Sequence, residues 1–101
     1  MMPSIKWSAT FPDKSGKKVK HELDYYGGLE DLRHDAIKYL EKLSPNDRTS
    51  IRFYRNGKYV GTLFWNTHPM GCYLFRFKHT KNETWTEIVY KNGNSGRIID
   101  L

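Results

Sequence analysis

Four histidines, one cysteine and 11 carboxylates are the side chains of this chain able to carry acid–base or metal chemistry. Glu87 and His79 are the catalytic candidates among them. With Glu83 and His68 they could supply a general base and a general acid, and Arg76 and Lys78 stand beside His79 to hold a phosphate. That set is what a metal-independent ribonuclease needs. Alternation places Glu87 on one face with Trp85 and Val89, where partial burial tunes a carboxylate for proton transfer. The opposite parity, with Thr86, Ile88 and Tyr90 inward, leaves it exposed and ordinary. His68-Pro69-Met70-Gly71-Cys72 offers two ligand types on a loop, whereas zinc takes three or four with a supporting shell. No metal and no cofactor is therefore expected. The chain has no Ser-His-acid signature, phosphate-cradling loop or dinucleotide fingerprint. The reading leans away from an enzyme.

A second kind of chemistry is more widely spread. The formal charge is +6 and the pI near 9.5, a balance that favours nucleic acid or another acidic partner. Residues 1–26 carry a net +2, residues 27–48 a net −1 and residues 49–101 a net +5. The excess falls outside the one helical region, which argues against a recognition helix in a DNA major groove. Period-two parity sends Arg52, Tyr54, Lys58, Phe64, Arg76 and Lys78 to one open sheet face, with Val60, Thr62 and Leu74 beside them. Tyr59, Leu63, Trp65, Tyr73, Phe75 and Phe77 turn inward. Rings that stack bases, interleaved with cations that hold phosphates, are what single-stranded nucleic acid requires. Lys17, Lys18 and Lys20 extend the track. The same pattern also fits a solvated sheet face, or a protein-contact surface rich in Tyr, Phe and Arg.

The elements that must position these residues follow from periodicity. Residues 4–11 and 18–25 alternate apolar and polar side chains and flank Pro12-Asp13-Lys14-Ser15-Gly16, so they predict a hairpin. From Leu29 the spacing changes to three and four through Leu32, Ala36, Leu40 and Leu43, an amphipathic helix over about 28–43. Glu30 and Asp31 suit its first turn, Lys42 its last, and Pro45 stops it. Residues 50–55 and 58–65 flank Asn56-Gly57, a strong hairpin signal. Residues 72–79 and 84–91 predict a second hairpin, and 97–101 a short last strand. Trp7, Leu32, Leu40, Phe53, Leu63, Phe75 and Trp85 are the expected core.

The fold class is therefore α+β, a single domain over 1–101 in the order β-β-α-β-β-β-β(-β), with one helix packed on a twisted antiparallel sheet. One cysteine excludes an internal disulfide framework, and no apolar run approaches a membrane span or a signal peptide. A cytoplasmic protein with no membrane partner is expected. The favoured function is a small non-enzymatic domain that binds nucleic acid, single strands preferred, through the basic and aromatic open face. The alternatives are an interaction or inhibitor protein of mobile-element type, acting on a nucleic-acid-associated protein, and the ribonuclease above. A homodimer through a sheet edge is compatible with any of them.

Overall fold

A computed structural model describes residues 5–67, 71–78 and 84–99. Its elements are β1 (Trp7–Pro12), β2 (Lys18–Leu23), α1 (Gly28–Leu40), β3 (Ile51–Arg55), β4 (Lys58–Asn66), β5 (Cys72–Lys78), β6 (Thr84–Val89) and β7 (Ser95–Ile99). The seven strands form one antiparallel sheet in the spatial order β2-β1-β3-β4-β5-β6-β7. The α+β class and the chain order agree with the periodicity. α1 leaves the β2 edge and returns the chain so that β3 pairs with β1 on its other side.

The apolar stripe of α1 decides which sheet face becomes the core. Leu29, Leu32, Ala36, Ile37 and Leu40 pack with Ala9, Phe11, Ile51, Phe53, Leu63, Tyr73, Phe75 and Val89. Phe53 meets Phe75 edge-on at 5.3 Å, and replacing either ring with alanine costs about 3–5 kcal/mol. Trp7 and Phe77 pack on the margins of this cluster.

α1 ends at Leu40, not at residue 43. Its last turn tightens: the amide N–H groups of Lys42 and Leu43 donate to the carbonyls of Tyr39 and Leu40, three residues back. Arg48 then caps the exposed carbonyls, with Nε donating to Leu40 O at 3.1 Å and Leu43 O at 3.3 Å. Lys38, rather than Lys42, is the basic residue of the last turn.

The β3–β4 hairpin turns on Asn56 and Gly57, whose φ angles of +49° and +82° match the primed two-residue turn that twisted strands require. Asn56 also ties this turn to the start of β1. Its N–H donates to Lys6 O at 2.8 Å, and its Oδ1 accepts from Lys6 N at 2.9 Å.

One residue of β4 breaks the expected alternation. Phe53 pairs with Gly61 but Tyr54 pairs with Tyr59, so Val60 is an extra residue, a β-bulge. Everything between the bulge and the turn changes face. Tyr59, expected inward, lies with Tyr54 on the open face, and Val60, expected outward, packs against the core. Lys58 pairs with Arg55, which pairs in turn with Trp7 of the core side. Lys58 therefore does not belong to the open face.

Candidate functional site

Beyond the bulge the open face follows the expected parity. β3 supplies Arg52 and Tyr54, β4 supplies Tyr59, Thr62 and Phe64, and β5 supplies Leu74, Arg76 and Lys78. The register pairs Arg52 with Thr62 and Thr62 with Arg76, so three strands bring these side chains into one row. A shallow depression of about 760 Å³ is lined by Ser50, Arg52, Tyr54, Tyr59 and Thr62. The Tyr54 and Tyr59 rings meet edge-on at 6.0 Å, and the Tyr59 hydroxyl is hydrogen-bonded to Thr62 Oγ1. Arg76 lies over the Phe64 ring, 5.7 Å from its centroid.

The face continues towards the N-terminal hairpin. A smaller hollow of about 230 Å³, lined by Ser8, Thr10, Lys20 and Gly57 among others, shares Tyr54 with the first. Lys18 and Lys20 stand opposite Pro12 and Thr10, on this same face. From β2 to β5 the row crosses four strand spacings, about 19 Å. Lys17 lies in the β1–β2 turn, exposed, with its N–H donating to Asp13 Oδ1 at 3.1 Å.

The electrostatics of the row are one-sided. Among the described strand positions of this face the acidic residue is Glu22, which pairs with Lys20 at 3.0 Å and with Lys6 at 3.8 Å. The hydrogen bond from Lys20, reinforced by its charge, holds the Glu22 carboxyl below its ordinary value. Among the described residues Arg52, Arg76 and Lys78 take part in no ion pair. The centre of the face is filled rather than hollow. Leu74, between its cross-strand neighbours Phe64 and Ile88, is fully buried although it points away from α1.

Glu87 has a different setting. It faces α1, as the parity with Trp85 and Val89 implies, and is 7% exposed. Arg33, with no exposed surface at all, donates from Nη1 to Glu87 Oε1 at 2.8 Å. Its Nε and Nη2 both donate to Gly93 O, at 3.1 and 2.8 Å, and Nη2 also reaches Ser95 Oγ at 3.0 Å. The Ser95 hydroxyl donates to the same Glu87 oxygen at 2.7 Å. One oxygen of the carboxylate is thus held by both a guanidinium and a hydroxyl. Gly93, at φ +90°, seats the β6–β7 turn on α1 so closely that a Cβ would lie 2.0 Å from Glu30 O. His68, His79 and Glu83 lie outside the described residues.

A second, half-buried network joins the far end of α1 to the sheet. Arg48 pairs with Glu41 at 2.9 Å and lies 4.4 Å over the Trp65 ring. Glu41 also accepts from Lys91 at 2.9 Å and from the Tyr73 hydroxyl at 3.0 Å. The Lys91 hydrogen bond, with that of Tyr73, lowers the Glu41 pKa against its partial burial. Burial first, and then Glu41, pushes the Tyr73 phenol well above its usual range.

Among the described residues no group of three His, Cys, Asp or Glu side chains could hold a metal, and no helix is long and apolar enough to cross a membrane. Comparison with protein-family models, curated proteins and solved structures finds no match for this chain.

Proposed function

We propose that this protein is a non-enzymatic nucleic-acid-binding domain that takes single strands across the open face of its sheet. The row Lys20, Tyr54, Arg52, Tyr59 and Arg76 carries the reading, because its cations stand beside the half-buried Tyr54 ring and the exposed Tyr59 ring with little acid nearby. Tyr54 and Tyr59 stack bases, Arg52 and Arg76 hold phosphates, and Lys18 and Lys20 continue the track towards the hairpin tip. Lys78 adds charge at the far end of β5. The pairing of Glu87 with Arg33 and Ser95 supports a binding rather than a cleaving role for the sheet.

Fluorescence anisotropy with labelled single-stranded RNA, single-stranded DNA and duplex DNA at two salt concentrations tests the proposal. Single strands should bind at micromolar affinity or tighter, better than duplex, and keep most of that affinity at physiological salt. Tyr54→Ala should cost about 1–3 kcal/mol of binding. Arg52→Ala with Arg76→Ala should reduce the salt slope by about 0.7 for each lost phosphate contact. Weak and equal binding of all three ligands, seen only at low salt, would sink the proposal and point to a protein partner for the same face.

A further inference from the structure

The β1–β2 turn and the C-terminal half of α1 enclose a groove of about 840 Å³ on the helix side of the sheet, away from Arg52 and Arg76. That is a volume suited to a small organic molecule. Its aromatic wall is already assembled. His21 lies flat on Phe11, centroids 3.7 Å apart and planes 5° apart, and Tyr39 follows at 6.3 Å from Phe11. The His21 Nε2–H donates to Phe11 O at 3.0 Å, which fixes the ring in place. Leu43 extends this apolar lining on the helix side. Three ammonium groups, Lys14, Lys38 and Lys42, border the groove, and among the described residues none of them is in an ion pair. Of the two bordering carboxylates, Asp13 is taken up by its own turn, accepting from Ser15 N, Ser15 Oγ and Lys17 N. Both carboxylates keep their charge, so three lysines against two acids leave the groove with a net positive charge, and Asp13 is held away from Lys38 and Lys42 by its own turn.

We infer that this groove binds a small aromatic anion, its ring against the His21–Tyr39 wall and its acid group on Lys38 and Lys42. The site is separate from the sheet face and does not depend on nucleic-acid binding there.

The probe is 8-anilinonaphthalene-1-sulfonate, an aromatic anion whose emission rises on leaving water, titrated into the intact protein with a cooperative thermal melt recorded on the same samples. A saturable rise is expected. Lys38→Glu with Lys42→Glu should weaken it about tenfold or more, whereas Arg52→Ala with Arg76→Ala should leave it unchanged. The uncharged N-phenyl-1-naphthylamine should bind about tenfold more weakly than the sulfonate. No saturable binding, equal binding by the charge-reversed variant with its melt intact, or equal affinity for the neutral probe would each overturn the inference. Loss in the Arg52/Arg76 variant instead would place the anion on the sheet face and overturn it as well.

Discussion

Arg33 and Arg48 on the helix side, and Arg52 and Arg76 on the open side, are the same side chain put to opposite uses. Arg33 is wholly buried and every hydrogen bond its side chain makes joins α1 to the β6–β7 region. Arg48 caps α1, pairs with Glu41 and covers Trp65. Arg52 and Arg76 meet no carboxylate among the described residues and are exposed. The difference teaches that a chain's net charge is a poor guide to its binding charge. Cations paired within the structure serve the fold, and what is left over on one face sets the field a partner meets.

Arg33→Ala should show the largest effect, a loss of about 3–5 kcal/mol in denaturant unfolding, because Glu87 would stay buried without its partner. The double change Arg33→Met with Glu87→Leu should recover much of that loss. A cost under about 1 kcal/mol for the single change would erase the distinction between the two sides. Arg48→Ala should cost about 2 kcal/mol, and Arg48→Lys should recover little of it, since a compact ammonium lacks the planar fork that reaches the Leu40 and Leu43 carbonyls and Glu41 from separate nitrogens while lying over Trp65.

The Glu41 cluster gives the same side a pH signature. Its carboxyl titrates below the unfolded value of 4.5, so its contribution is full above that value and is lost as the pH falls through the lower folded one. Glu41→Gln should flatten the acid limb of a stability–pH curve recorded by thermal melts. On the other side, Arg52→Ala with Arg76→Ala should change stability by no more than about 0.5 kcal/mol while binding falls at least about tenfold. The finest comparison lies within β4, read by anisotropy. Tyr59→Ala should weaken single-strand binding, and Lys58→Ala should leave it nearly unchanged, the reverse of what uninterrupted alternation predicts.

Periodicity made most of the scaffold legible. The three-and-four spacing from Leu29 to Leu40 could be nothing but a helix face, and Asn56-Gly57 announced its hairpin because few other residues accept left-handed φ twice in succession. The face assignment failed at Val60 for a physical reason: parity counted from one end carries through a bulge unaltered, whereas the chain does not. Gly61, a glycine inside a strand pattern and next to the extra residue, is the sign that marked the place. Arg33 is anomalous in the sequence, a charge within the stripe of Leu29, Leu32, Ala36 and Ile37, but nothing local says what answers it. Glu87 stands out as an acid between Trp85 and Val89, but only tertiary structure reveals that the two misfits, 54 residues apart, answer each other.

The spacing of that pair reaches beyond the finished molecule to its making. Arg33 is translated 54 residues before Glu87 and 60 before Gly93. At about 5–20 residues per second, 60 residues is a wait of roughly 3–12 s. Until then its folded-state partners are incomplete, and burying the guanidinium without them would carry a desolvation cost. The hydrogen bonds of the Arg33 side chain are complete only with the β6–β7 turn in place, so a chain interrupted before Gly93 lacks partners that this guanidinium has in the finished fold.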